Sequence, residues 1–115
     1  MNDKGKSAAL ESCMAKPVDV NALIDYTDDS IVSKTIIDKP VGTITLFAFD
    51  KGQKLSEHTA PYDAVVQVID GCAEITIAGK QIDVTSGKLI VMPAGVPHEV
   101  AAPEKFKMLL VMVRA

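Results

Sequence analysis

From Ser30 onward the chain alternates short apolar, β-branched runs with polar turn residues: SIVSKTIID and TITLFAFD, then AVVQVID, AEITIAG, KQIDVTSG, KLIVMP and FKMLLVMV. Runs of this length, rich in Val, Ile and Thr and bounded by Gly, Pro, Asp and Lys-Gly, read as strands of a sandwich or barrel. About seven or eight such strands follow one another at short spacing, and no stretch keeps a helical period long enough for a βαβ crossover. The expected fold class is all-β. Upstream, residues 1–17 are polar and small and end at Pro17, which reads as a loosely held arm. Asp19 then precedes Val20, Leu23 and Ile24, an N-cap followed by one short amphipathic turn or helix that ends near Tyr26. The expected organisation is an arm with a short helix over residues 1–29 and a barrel over residues 30–115.

Two turns carry information of their own. Ala78-Gly79-Lys80 separates two alternating runs, and a glycine there supplies the positive φ of a tight hairpin. In PAGVPH, two prolines and a glycine follow a wholly apolar strand, so the chain leaves the sheet, turns sharply and re-enters carrying His98.

Composition narrows the function classes. With 48% hydrophobic and 23% charged residues among 115, the chain can fill one core and is not disordered. The formal charge is −3 with both signs interspersed, so no Lys/Arg field exists for phosphates and nucleic acid is not an expected partner. Lys4 and Lys6, like Asp25, Asp28 and Asp29, read as solvated surface. Cys13 and Cys72 form no CxxC pair and read as reduced thiols, Cys72 being a small strand residue beside Gly71. The opening MNDKGKSAALESCMAK has no apolar stretch of signal-peptide type, and no segment approaches the ~20 apolar residues of a membrane span. A cytoplasmic protein without a membrane partner is expected. Met92, Met108 and Met112 read as core filling, although a pocket lined by Met, Val and Ile suits a small apolar ligand. Phe47 and Phe49 share a strand face with Thr45 and read as core or subunit packing.

Two segments resemble the paired motifs of the cupin superfamily, in its small conserved-barrel "cupin 2" form. The first motif, G-x5-H-x-H-x3-E-x6-G, is matched in spacing by Gly52, His58, Ala60, Ala64 and Gly71. The second, G-x5-P-x-G-x2-H-x3-N, is matched by Gly87, Pro93, Gly95, His98 and Ala102. The resemblance covers roughly residues 42–113 and implies a double-stranded β-helix, an RmlC-like jelly-roll barrel, preceded by the arm and helical turn. It does not imply one activity, because cupins host dioxygenases, isomerases, decarboxylases, storage proteins and sensors.

In metal-binding cupins the two histidines and the glutamate of the first motif, with the histidine of the second, hold Mn, Fe, Ni, Cu or Zn. Here Ala60 and Ala64 carry no ligand atom, and Ala102 stands at the asparagine position. His58 and His98, the only histidines of the chain, are the two ligand positions that survive. Two neutral imidazoles make a weak site where catalytic zinc commonly has three protein ligands. Positions 58, 60 and 64 share a strand face by parity, which extends to Tyr62 and Val66 and places a phenol near the pocket mouth. Asp63 and Gln67 then point away, and Glu57 lies one position out of phase unless a bulge re-aims it. The expected pocket is built on His58, Ala60, Tyr62, Ala64, Met92 and His98, with the two alanines enlarging it.

Three functions fit these residues. The leading one is a small-molecule-binding cupin that holds an apolar or weakly anionic ligand without a tightly held metal, the two histidines also being suited to acid–base work. The second is a metal-dependent enzyme, a dioxygenase or isomerase, in which His58 and His98 weakly hold Fe, Ni, Zn or Mn and the substrate or water completes the shell. The third is a structural or regulatory module with the pocket collapsed. Whether the chain is an enzyme stays open between them. By resemblance it is expected to form a homodimer, with SIVSKTII as a candidate strand lent across the partner's sheet.

Overall fold

The computed structural model describes residues 9–114, so the reading of Lys4 and Lys6 lies outside the described residues. Eight strands follow in order: β1 (Ile31–Lys39), β2 (Gly42–Phe49), β3 (Lys54–His58), β4 (Asp63–Ile77), β5 (Lys80–Thr85), β6 (Leu89–Met92), β7 (His98–Ala101) and β8 (Phe106–Val113). All pairings are antiparallel, in the order β1-β2-β8-β4-β7-β3, with β5 and β6 both pairing β4. The all-β expectation is met, and the sheet curls so that its inner face encloses the core.

The curl originates in β4. AVVQVID and AEITI, read as separate runs, are one 15-residue strand. Its first half pairs with β6 and β8, and its second half with β5 and β7. Between the halves the register to β8 shifts at Val68/Asp70, and Gly71 takes φ +77. The inserted residue reverses the parity of the strand: Ala64, Val66 and Val68 are buried before the bulge, Ala73 and Ile75 after it. Only glycine fits at the bend, because a Cβ at position 71 would lie 2.2 Å from the Lys105 carbonyl oxygen.

The two halves of the sheet close over Val66, Val68, Ile75, Val100 and Met108, with Phe49 and Phe106 stacked at 4.5 Å between ring centroids. Phe47 packs half-buried against the same cluster. Between β4 and β5 the connection is a two-residue hairpin, Ile77 pairing Lys80, and both Ala78 and Gly79 have positive φ.

Ahead of the sheet, the expected short helix is a single 3₁₀ turn, Val20–Leu23, and the Asp19 carboxylate accepts from the Asn21 amide at 3.1 Å as an N-cap should. The turn packs Val20, Leu23 and Ile24 onto Leu46 and Ala48 on the outer face of the sheet. Lys107 fixes it there: buried on β8, its ammonium donates to the backbone and side-chain oxygens of Asn21, both at 2.8 Å, and lies 5.0 Å from the Tyr26 ring centroid. The Tyr26 hydroxyl donates to Asp70, and burial together with that carboxylate raises the phenol's pKa well above its ordinary value.

The arm is less loose than expected from Ala9 onward. Ala9 bridges Ile37, the Leu10 amide donates to the Ile36 carbonyl at 2.6 Å, and Glu11–Cys13 forms a second 3₁₀ turn. β1, the candidate strand for exchange across a dimer, pairs with β2 of its own chain. Among the described residues no helix is long and apolar enough to cross a membrane.

Candidate functional site

The barrel opens at a pocket between β3, β4, β6, β7 and β8. His58 ends β3 and His98 begins β7, directly opposite one another in the pairing of those strands. A register shift between Leu55 and His58 decides what faces inward. Leu55 and His58 are an odd number of residues apart, yet both line the pocket, so the irregular residue rotates His58 into it. The bulge considered for Glu57 therefore exists, but the side chain it aims inward is His58, and Glu57 is exposed.

His98 is set by the rigid loop before it. The Ala94 amide donates to the Asp63 carboxylate at 2.8 Å, and the Gly95 amide donates to the Ala60 carbonyl at 2.8 Å. These two bonds tie the loop that delivers His98 to the link that follows His58. Asp63 points away from the pocket, as parity requires, and is a positioning residue that the sequence alone did not single out. Ala102 is buried in the core, its amide and carbonyl bonded to Gln53 and Gly52.

The two imidazoles meet edge to face, with centroids 4.3 Å apart, planes at 70° and Nε2 atoms separated by 3.1 Å. His98 is 6% exposed while His58 is open to solvent, so the pair runs from the interior to the mouth. Each Nδ1 faces a backbone carbonyl, that of Ser56 at 2.9 Å for His58 and that of Val96 at 3.2 Å for His98. A carbonyl only accepts, so each of these partners assigns a proton to Nδ1. Two neutral rings with these tautomers then have no proton left for a hydrogen bond at the contact between them. A third proton on one Nε2, or a donor group placed beside both, satisfies the pair.

Around this pair the surface is apolar. Ala60, Ala64 and Met92 line the pocket. Leu55, Val100 and Leu110 join them, as do Met108 and Met112, whose part in the pocket the sequence showed only as generic core. Tyr62 corrects a sequence expectation, because it does not line the pocket. β3 ends at His58 and β4 starts at Asp63, so strand parity does not carry across to Tyr62, whose ring lies 5.9 Å from the Arg114 guanidinium carbon. The cavity is about 50 Å³. Ala64 has Met92 as its cross-strand neighbour on one side and Met112 on the other. Their thioether chains offset the room that alanine creates, and the space holds a few atoms rather than a drug-sized molecule, which needs roughly 300 Å³ or more.

An antiparallel barrel with a paired-imidazole pocket framed by a Pro-Gly loop defines a jelly-roll barrel of the double-stranded β-helix class. The chain belongs to the cupin family: the cupin domain model (Cupin_2) matches residues 45–114. Among solved structures, a conserved protein of unknown function from Streptococcus pyogenes is 42% identical with a TM-score of 0.84, over 88% of this chain and 89% of that one. A cupin 2 conserved barrel domain protein from Leptotrichia buccalis is 41% identical with a TM-score of 0.78 over 81% of this chain, which spans 45% of that protein's length. A cupin superfamily protein from Desulfitobacterium hafniense, 24% identical, shares the fold with a TM-score of 0.84 over 95% of this chain and 97% of that one. No curated protein matches the chain.

The hard or borderline divalent ion of the family's four-ligand site does not fit the residues present. Among the described residues no group of three or more His, Cys, Asp or Glu comes together to hold a metal. At the pocket the donors of that kind are two neutral nitrogens, with no carboxylate to offset a double positive charge.

Proposed function

We propose that the protein binds a small, largely apolar or weakly acidic molecule in the barrel pocket, with its polar end between His58 and His98 and without a resident divalent metal. The observation that carries this reading is the 3.1 Å approach of two Nε2 atoms whose Nδ1 partners are both carbonyls. Such a pair accepts. A carboxylic acid, enol or phenol that places its O–H at the two nitrogens supplies the missing proton, and its remaining charge stays beside the imidazolium so formed. The apolar part of the ligand then rests on Leu55, Val100 and Leu110. A cavity of about 50 Å³ selects short or slender ligands, or admits only the acidic end of longer ones.

Calorimetric titration of the untagged, metal-free protein with a panel of short carboxylic acids and phenols tests this. At least one member is expected to bind, and His98→Ala is expected to weaken it roughly 10- to 100-fold, the loss of about 1.5–3 kcal/mol for a hydrogen bond to a charged group. No binding by any member, or equal binding to a His58→Ala, His98→Ala variant, would sink the reading.

The expected homodimer is carried forward as part of this proposal. What supports it is a stripe of β-branched residues running across five neighbouring strands on the outer face: Val91, Val65, Val111, Ile44 and Ile37 are successive cross-strand partners. Val91 is half exposed. Light scattering on the native chain and on Val91→Glu is expected to give a dimer and a weakened dimer, and a monomeric native chain would refute it.

A further inference from the structure

The inner face of the sheet does not end at the pocket. Cross-strand partners project to the same face, so the registers define its rows. Met92, Ala64 and Met112 of the pocket wall continue into Thr43 on β2 and Asp38 on β1. In the next row Leu110 of the pocket continues into Thr45 and Thr35, and in the one after it Met108 continues into Phe47 and Ser33. Exposure rises along these rows: Thr43, Thr45 and Phe47 are half-buried, whereas Ser33, Thr35 and Asp38 are exposed. Neighbouring strands lie about 4.8 Å apart, so this open shelf reaches about 10 Å from β8 to β1.

We propose that the shelf is the outer half of the ligand site, and that the ligand is a carboxylic acid with an apolar stem and a hydroxylated far end. The proposal rests on the acid-binding reading of the pocket and names the class of acid. The carboxyl group meets His58 and His98, the stem lies along Leu110 and Met112, and the hydroxyls meet Thr43, Thr45 and Thr35.

Three observations carry it. The first is size. A cavity of about 50 Å³ takes the acidic end of a molecule and leaves the remainder outside, and the wall that adjoins Leu110 and Met112 on the β2 side is this shelf. The second is shape. Short side chains stand beside the pocket, with Phe47 as an apolar floor packed on the core, so the space above the sheet stays open. The outward residues of the same strand, Leu46 and Ala48, are by contrast covered by the turn at Val20–Leu23.

The third observation is hydrogen-bonding chemistry. A threonine hydroxyl both donates and accepts, as does the hydroxyl of a ligand, and neither needs a counter-charge. Among the described residues the hydroxyls of Thr35, Thr43 and Thr45 have no protein partner. Asp38, at the end of the row, only accepts, so it takes a proton from a hydroxyl and repels a second carboxylate. A neutral hydroxylated tail therefore suits the shelf better than an anionic one.

The test is calorimetric titration of the untagged, metal-free full chain with octanoic acid and with 7,8-dihydroxyoctanoic acid, which differ only in the two hydroxyls. The diol acid is expected to bind about tenfold more tightly, the gain of two ordinary hydrogen bonds. In a Thr43→Val, Thr45→Val variant, which keeps the β-branched shape and the strand preference, the ratio of the two affinities is expected to fall to near one. In the unsubstituted chain, the γ-methyl ¹H–¹³C signals of Thr43 and Thr45 are expected to shift more with the diol acid than with octanoic acid, a readout that does not depend on a variant folding. Equal affinities for the two acids, a ratio unchanged in the variant, or threonine methyls that respond alike to both acids overturns the shelf and leaves the acid-binding pocket standing. Binding of neither acid overturns both.

Discussion

Replacing Gly71 by alanine strikes the bend on which the barrel depends, and its size can be worked out by comparison with Gly79. Both glycines have left-handed backbones, φ +77 and φ +80. Each alanine therefore carries the cost of an L-residue in that region, about 1–2 kcal/mol. Their surroundings differ. A Cβ at position 79 meets nothing within 4 Å, whereas at position 71 it lies 2.2 Å from the Lys105 carbonyl oxygen and 3.0 Å from Cα and Cβ of Phe106. That obstacle is backbone in a paired strand, so β4 and β8 must separate locally, a strain on the order of overpacking, about 1–3 kcal/mol more. Gly71→Ala is expected to cost about 2–5 kcal/mol in total, a large share of the roughly 5–15 kcal/mol by which a domain is stable. Urea unfolding of both variants followed by circular dichroism measures the difference through the shift in midpoint at unchanged slope. If the two variants are destabilised equally, the close approach of β4 to β8 does not hold the bend, and the account of how β4 changes its inward face fails.

Two further expectations concern the supports of the site and of the arm. Asp63→Ala removes the carboxylate that accepts from the Ala94 amide. It is expected to cost about 0.5–1.5 kcal/mol of stability and to weaken ligand binding several-fold, although Asp63 does not touch the pocket; unchanged affinity would show that the loop holds His98 without it. The phenol of Tyr26, raised above its ordinary value of 10.0 by burial and by Asp70, favours the folded state below that pH, where both states keep the proton. As pH rises through 10 the unfolded phenol ionises first and this contribution is lost. The stability difference between the native chain and Tyr26→Phe should therefore be largest at neutral pH and shrink above pH 10, and a difference as large at pH 11 as at pH 8 would contradict it.

Much of the fold was legible because apolar runs alternate over most strands, and the places where reading failed have definite causes. β3 carries one half-buried apolar residue, Leu55, among Lys54, Ser56, Glu57 and His58, which are all exposed, so it shows no alternation to recognise. Gly71 reads equally well as a break or a bend, and only its contact with β8 decides for one long strand. Motif spacing singled out His58, Ala60, Ala64 and His98, which all line the pocket, and Met92, read from its apolar strand, lines it too. Tyr62 was misplaced because parity was carried through residues 59–62, which lie outside the strands. That Met92 and Met112 flank Ala64 depends on the register of β4 with β6 and β8, which no single strand encodes.

The central claim is that His58 and His98 act as one acceptor pair, each holding its proton on Nδ1 and offering Nε2 to whatever enters. Long-range ¹H–¹⁵N correlation of the imidazoles in the untagged, metal-free protein tests it most directly, first alone and then during titration with a short carboxylic acid. Nδ1–H tautomers are expected in both neutral rings, with a concerted shift of both Nε2 resonances as the acid binds. An Nε2–H tautomer in either ring, or a shift confined to one of them, would contradict it.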